Sequence, residues 1–460
     1  MLRDRYEIDK FFVEIQRLTS EMEPALGQID KVLDDETIYQ MVKTDLSQRY
    51  PKTQQMGRGS TPVEVILRML VVRHLYQLSY EKTEQAVKDS LVLRRFCRVY
   101  FEQVPDDTTL IRWNNQIKPE TIKALHERVV QIACALKVSK GRKLRTDGTV
   151  VETNIHYPTD SSLLSDGVRV LSRYLKQAQQ VVGIGLERGQ QLFRDRRRSA
   201  RRLQRQIEGL ARKGAEKTRP IYQKLLRIAR ASVQQAKTVI QLLKQSNEIT
   251  SDPIQRQLQT FVSRTQQVIE QTVGRVVKQE HVAASDKLVS LFEPHTDIIK
   301  RGKAGHPTEF GHKVWLDEVE GGIVSDYRIL AGNPADSDQW QISIDKHIEQ
   351  FGKAPHQASA DRGVYSAPNE AYATACGVKR VILPKPGYQS QQRQAHERQA
   401  WFRRGRRFHA GVEGRISVLK RNHGLDRCLN HGLDGFARWV GWGIIVHNLS
   451  GIGRQLVSIT

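Results

Sequence analysis

Three acidic residues stand in short contexts that are typical of catalytic carboxylates. Asp147 lies within Arg-Thr-Asp-Gly-Thr, Asp361 within Ser-Ala-Asp-Arg-Gly and Glu413 within Gly-Val-Glu-Gly-Arg. Carboxylates that converge from distant parts of a chain suit Mg²⁺, a hard cation that prefers oxygen ligands. Two such ions about 4 Å apart assist the attacking and the leaving oxygen in phosphoryl transfer. The residue types therefore indicate a divalent-metal site that acts on phosphodiesters.

Taken singly, each of these acids has an ordinary structural interpretation. An Asp before Gly commonly forms a turn, and a Glu on a helix is commonly solvated. By residue type alone, several other acidic residues could be the metal-binding carboxylates: Glu152, Asp160, Asp166, Asp317 and Asp336. Composition alone therefore leaves the site open.

The charge of the chain indicates a polyanionic partner. Among 460 residues, 73 Lys and Arg oppose 50 Asp and Glu, which gives a formal net charge of +23. Such an excess attracts nucleic acid at long range and makes binding sensitive to salt. A basic surface that only confers solubility is the alternative. DNA or RNA is the predicted substrate.

The remaining composition narrows the class of protein. The four cysteines are far apart, which favours buried thiols in a reducing compartment over a zinc site or disulfides. The N-terminus has no apolar signal core. The most apolar stretch, residues 439–446, is too short to span a bilayer, which takes roughly 20 residues. We therefore expect a cytoplasmic protein with no membrane partner.

Residues 1–140 predict an all-α N-terminal domain. Thr61 is a candidate helix N-cap before Pro62, and apolar residues such as Val65 and Met69 follow at helical spacing. Ser79 is a second candidate cap. Short helices with basic outer faces suit helix-turn-helix DNA binding. They suit an ordinary helical bundle equally well.

The second part of the chain predicts a mixed α/β domain, formed by residues 141–162 and 286–460. Residues 144–155 alternate as a strand that carries Asp147, and residues 312–330 read as a hairpin. Helices and strands then alternate, and the end of the chain, residues 409–456, reads as helical. Helices on the faces of a sheet are the expected architecture.

Residues 163–285 predict a helical insertion between the first two acids. Their apolar residues keep a spacing of three or four, as in an amphipathic hairpin or a short coiled coil. An Arg-rich stretch at residues 194–198 is either a DNA-binding surface or a solvated helix face.

The order of the motifs resembles the DDE transposases of bacterial insertion sequences. Residues 146–160 resemble their first-Asp block, residues 361–366 their second-Asp block, and residues 411–415 with 420–425 their Glu block. Residues 57–113 are similar to the InsH-type helical N-terminal domain that many of these enzymes carry. The resemblance covers nearly the whole chain outside the insertion.

This resemblance implies an RNase H-like catalytic core with Asp147, Asp361 and Glu413 as the catalytic and metal-binding triad. This triad would bind two Mg²⁺ or Mn²⁺ ions. Water would cleave an element end, and the released 3′-OH would attack target DNA. The implied partners are the terminal inverted repeats and target DNA, bound by a homodimer or a larger assembly.

The implied DNA contacts are basic residues around the second and third acids. Lys420 stands seven residues after Glu413, like the lysine of the Tyr-Arg-Glu-Lys signature, whereas Arg406 and His409 replace its Tyr and Arg. The full set of predicted DNA-binding residues is Arg362, Arg404, Arg406, Arg407, Arg415 and Lys420. An RNase H-like nuclease without strand transfer and an inactive DNA-binding remnant are the alternative functions.

Overall fold

A mixed α/β arrangement, mostly helical with one mixed sheet, is present in the computed structural model. It describes residues 2–48, 59–182, 193–245, 251–300 and 308–459. Residues 57 and 58 of the InsH-like segment lie outside this range. The chain forms two compact units, Met1–Asn154 with His312–Thr460 and Ile155–Gly311. Within the described residues, no helix is long and apolar enough to cross a membrane.

The first unit begins with short helices, several of which start at a side-chain cap. Asp9, Asp35, Ser79, Ser90 and Asp106 each accept a hydrogen bond from a backbone N–H of the first helical turn. The predicted cap at Ser79 is thus confirmed. The helices are α1 (Lys10–Thr19), α2 (Pro24–Val32), α3 (Glu36–Ser47), α4 (Val63–Leu75), α5 (Tyr80–Asp89), α6 (Leu91–Phe96), α7 (Asp107–Gln116) and α8 (Pro119–Ala135).

Helix α4 is the buried centre of these helices. Its N-cap residue is Pro62, so the predicted cap at Thr61 is wrong by one position. Apolar residues such as Ile66 and Leu70 are fully buried. The helix also buries Arg68 completely, and the carboxylates of its neighbours neutralise that charge. Arg68 lies 2.6 Å from Asp30, 2.6 Å from Asp34 and 3.2 Å from Glu64. Buried charges of a fold are normally paired in this way.

The second unit is mainly helical. Buried leucine and valine side chains of its four long described helices form one apolar core. The segment predicted as a helical hairpin or a short coiled coil is therefore a larger helical bundle than the spacing of its apolar residues alone indicated. Its helices are α9 (Asp160–Val182), α10 (Arg197–Leu210), α11 (Ala215–Gln245) and α12 (Ser251–Thr272), and they are followed by strand β2 (Asp297–Lys300).

The sheet combines parallel and antiparallel pairs around the first strand, β1 (Lys143–Thr153). The expected hairpin is present as β3 (Thr308–Val319) and β4 (Ile323–Leu330). Strand β1 lies between β3 and β5 (Gln357–Ser359), and β5 pairs in parallel with β6 (Arg380–Ile382). A short strand, β7 (Arg427–Cys428), pairs in parallel with β1, and the first residues of β3 pair with β2. Strand β1 is thus central to the sheet.

The helices after the hairpin are α13 (Gln339–Phe351), α14 (Ala367–Ala375), α15 (Gln391–Arg398), α16 (Ala400–His423) and α17 (Gly432–Ile459). The predicted helical region at the end of the chain is present, but it is divided into two helices because α16 stops at Gly424. This residue has a left-handed φ of 74°, and its N–H bonds to the carbonyl of Leu419. A left-handed glycine of this kind commonly ends a helix. Strand β7 occupies the resulting break.

Candidate active site

Asp147 and Asp361 stand just beyond the paired residues of two neighbouring parallel segments. Strands β1 and β5 pair Lys143 with Gln357 and Arg145 with Ser359. Asp147 lies within β1, two residues after Arg145, and Asp361 follows the end of β5 by two residues. Adjacent strands are about 4.8 Å apart, and these two strands run in the same direction. The chain therefore carries both acids towards the same end of this strand pair.

The Asp361 carboxylate is held at the surface by a tight turn. It accepts a hydrogen bond of 2.9 Å from the N–H of Gly363, within the turn Arg362–Val364. The residue is exposed, and so is the adjacent Arg362. The carboxylate is therefore fixed in position and open to a ligand.

A second acidic turn, Asp336–Asp338, lies against the turn that follows Asp361. The buried amide of Asn369 joins the two turns by donating to the carbonyls of Ser337 (2.9 Å) and Val364 (3.0 Å). Desolvation and the negative charge of Asp336 raise the pKa of Asp361. In sequence, Asp336 is only one of several competing acids, since no local signal shows that the turns meet.

Lys313 forms an ion pair with Asp336 beside Gly148, on the face of β1 opposite to that of Asp147. Its Nζ lies 2.6 Å from Asp336 Oδ1 and donates to the carbonyl of Pro334 at 2.7 Å. The absence of a side chain at Gly148 makes this approach possible. A Cβ there would lie 3.2 Å from Lys313 Cε and 3.5 Å from Asp336 Oδ1. The glycine that follows Asp147 therefore admits this ion pair.

Helix α16 carries Glu413 and is anchored to the sheet by a buried charge cluster. The Glu318 carboxylate accepts two hydrogen bonds from Arg145, at 2.8 and 2.7 Å, and one from Arg415 at 3.0 Å. Arg145 also donates to the carbonyl of Phe408 at 2.5 Å. A Cβ at Gly411 would collide with the Arg145 guanidinium. The helix is thus tied to β1 and β3 on both sides of Glu413.

His409 lies between the same helix and β5. Its ring is near the backbone of Ser359 and near the charge of Glu413, one helical turn away. Burial, followed by the nearby Arg145, lowers the pKa of His409 to about 4. A neutral ring therefore lies where α16 packs against the strand that leads to Asp361, and Glu413 remains exposed.

The predicted DNA-binding residues occupy different surroundings. Arg404, Arg406 and Arg407 are exposed on α16, and Arg406 and Arg407 help to line a groove of about 550 Å³. Lys420 lies further along the helix, in a separate pocket. Arg415 is engaged by Glu318, so its guanidinium serves as an anchor within the protein.

The donor set fits a divalent cation. Among the residues that the structure describes, no three His, Cys, Asp or Glu side chains are gathered as ligands of one ion. Mg²⁺, however, is commonly held by one or two carboxylates together with water and substrate phosphates. Asp147 in β1 and Asp361 just after β5 provide two hard oxygen donors, and Glu413 is on α16, which packs against both strands.

Comparison with known proteins identifies two parts of the chain. Residues 13–116 match a family described as a transposase domain, and residues 373–452 match one described as a transposase DDE domain. No curated protein and no solved structure matches the chain. The class is therefore that of the transposases. More specifically, the two matches together support a DDE transposase of an insertion sequence, the family that the motifs resemble. Glu413 lies within the second match, whereas Asp147 and Asp361 lie outside both.

Asp336→Asn is expected to lower the pKa of Asp361. The substitution removes a negative charge that disfavours the ionised carboxyl, and it leaves Lys313 free to act on it. Asp361 then ionises at lower pH. The pH below which divalent-ion binding is lost should decrease as well. A ¹³C NMR titration of the Asp361 carboxyl measures this shift. Asp338→Asn, in the same turn, is the control and should change little; an unaltered Asp361 pKa in Asp336→Asn would contradict the assignment.

Proposed function

We propose that this protein is an active DNA transposase that cleaves the ends of its insertion sequence and joins the 3′-OH to target DNA. The observation that supports the proposal is the parallel pairing of β1 and β5, since Asp147 and Asp361 each stand two residues after the last paired residue. In the proposal, residues 141–162 and 286–460 form an RNase H-like core. Residues 1–140 bind DNA, and residues 163–285 are an insertion.

The proposed triad is Asp147, Asp361 and Glu413, which would hold two divalent ions, Mg²⁺ or Mn²⁺. Such ions, when bound, activate the attacking oxygen and neutralise charge on the reacting phosphate. The protein contributes the placement of the carboxylates. Lys313 offsets the charge of Asp336, so that Asp361 carries less like-charge repulsion when it ionises.

Positioning of the DNA backbone falls to the exposed arginines in this proposal. Arg404, Arg406 and Arg407 present guanidinium groups on α16, and Arg362 follows Asp361 directly. Arginine forms strong paired hydrogen bonds with phosphate, and such contacts set position without reading sequence. Catalysis then depends on orientation and charge neutralisation, with no covalent protein–DNA intermediate.

The proposed partners are the terminal inverted repeats and target DNA. Because two element ends must be joined in one event, we propose a homodimer or a larger assembly on DNA. The proposed site of action is the cytoplasm, where a bacterial chromosome is found.

A strand-transfer assay tests the proposal. The protein is incubated with Mg²⁺, a labelled duplex that carries the element end, and a supercoiled target plasmid. A transposase produces a free 3′-OH at the element end and a covalently joined product. Cleavage without joining would identify a nuclease, and binding with neither product would identify an inactive remnant. Either of these outcomes would refute the proposed function.

A further inference from the structure

A pocket of about 870 Å³ lies away from the three carboxylates. It is formed by the last turn of α4 and the start of α5, the C-terminal end of α16, and the segment around β7. Arg73 and Tyr80 line it on one side, and Lys420, Arg427 and Trp439 line it on the other. A volume of this size is typical of sites that bind small molecules or parts of larger ligands.

Among the residues that the structure describes, Arg73 is a buried cation with no carboxylate partner. The residue is 4% exposed, and burial lowers the pKa of its guanidinium. Its Nη1 is 2.8 Å from Nε2 of His74, whereas its Nε has no hydrogen-bond partner among the described residues. Within the same described residues, no Asp or Glu forms an ion pair with it. Its positive charge is therefore uncompensated.

The groups that surround Arg73 are neutral. Its guanidinium carbon lies 4.0 Å from the ring centre of Tyr80 and 5.2 Å from that of Trp439. Burial and the adjacent Arg73 hold the pKa of His74 well below its usual range, so the imidazole carries no charge. Cation–π contacts stabilise a guanidinium modestly and do not neutralise it.

Arg68 provides the comparison within the same helix. It is as deeply buried as Arg73, but three carboxylates surround it at 2.6 to 3.2 Å. Replacing a buried charge by an apolar side chain is often neutral or stabilising, so a buried arginine that is not paired is not explained by stability. The difference between the two arginines points to a ligand at Arg73.

The remaining charges of the pocket favour an anion. Four further basic side chains line it, against the single carboxylate of Asp426. Arg427 is paired with Glu152 at 2.7 Å, which leaves Lys82, Lys420 and Arg421 to set the local field. A concave surface with one sign of charge concentrates ions of the opposite sign.

We propose that this pocket binds a phosphate group of a DNA strand, with Arg73 as its central ligand and Lys82, Lys420 and Arg421 at its rim. The proposal rests on the proposed function, because DNA is the polyanion that this function supplies. It extends the DNA contact of Lys420 to the helical N-terminal region. A DNA phosphate here would supply the counter-charge that the Arg73 guanidinium lacks among the described residues.

The test is DNA binding by Arg73→Met, measured by fluorescence anisotropy with a labelled duplex, in EDTA and over a series of salt concentrations. We expect the affinity to fall about tenfold, as for the loss of one charge-assisted contact. The slope of log K against log salt should become shallower by about one, because one phosphate contact is lost. Lys31→Met removes the same charge from the exposed face of α2 and should leave both quantities nearly unchanged.

Melting temperatures separate a binding role from a structural one. Arg73→Met should melt at or above the wild-type temperature, whereas Arg68→Met should melt far below it. Lys82→Met, on the exposed rim, should weaken DNA binding without any effect on the core. The proposal is wrong if folded Arg73→Met keeps wild-type affinity and salt slope. It is also wrong if Arg73→Met melts like Arg68→Met and Lys82→Met binds normally.

A final arm uses inorganic phosphate in place of DNA. If phosphate raises the melting temperature of the wild type but not of Arg73→Met, and DNA affinity is equal in both, the pocket takes a free anion and the proposal fails. Because EDTA prevents metal-dependent chemistry, these results do not depend on cleavage. Failure of the strand-transfer assay would refute the proposed function and leave the binding result intact.

Discussion

Asp361→Asn is expected to reduce metal-dependent cleavage of an element end by roughly a thousandfold or more. The amide keeps the shape of the side chain and can still accept the hydrogen bond from Gly363. It removes the negative charge with which the proposed site holds a divalent ion. The measurement is the single-turnover rate of end cleavage in Mg²⁺, with Asp147→Asn and Glu413→Gln in parallel.

The same substitution should not destabilise the protein. Desolvation and Asp336 raise the pKa of Asp361 in the folded state, so the folded protein disfavours its ionised form. Above that pKa the ionised carboxylate costs stability, and this cost is absent below the unfolded-state pKa. We therefore expect Asp361→Asn to melt at or above the wild-type temperature when no metal is present. Functional carboxylates commonly carry a stability cost of this kind.

Asp338→Asn is the matched control for cleavage, because Asp338 is an exposed acid in the neighbouring turn. It should cleave at nearly the wild-type rate. Wild-type cleavage by any one of the three triad variants would show that the carboxylate concerned is not part of the catalytic site.

Glu318→Ala is expected to lower the free energy of unfolding by about 3–5 kcal/mol. The carboxylate is almost fully buried and is bound by both Arg145 and Arg415. Its removal leaves two guanidinium groups close together without a counter-charge. Chemical denaturation measures the change. Glu349→Ala is the control, since its exposed pair with Lys346 should contribute less than about 1 kcal/mol.

Because Glu318 anchors α16, its removal should also affect cleavage. Loss of the cluster releases α16 from β1 and β3, so Glu318→Ala should also lose cleavage at temperatures where it is still folded. A triple variant that combines Arg145→Met, Glu318→Leu and Arg415→Met should regain stability, because no unpaired buried charge remains. A loss below about 1 kcal/mol for Glu318→Ala would contradict the structural role of the cluster.

Much of the local structure could be predicted from the sequence. Alternation of apolar residues indicated the strand with Asp147 and the β3–β4 hairpin, and the Ser79 cap was evident from its residue type. These signals act within a few residues, through side-chain periodicity and capping hydrogen bonds. The helix start at Pro62 and the break at Gly424 were missed, because several neighbouring residues fit a boundary equally well.

The ordered acid motifs and the basic composition, by themselves, determined the class of protein and the three candidate carboxylates. Only the tertiary structure decided which charges are paired. It joined the turn of Asp336 to the turn after Asp361 through Asn369, and it engaged Arg415 with Glu318. Among the described residues it gave Arg68 three carboxylates and Arg73 none. The physical reason is that the electrostatic state of a side chain depends on burial and on partners distant in sequence, whereas a motif records only its immediate neighbours.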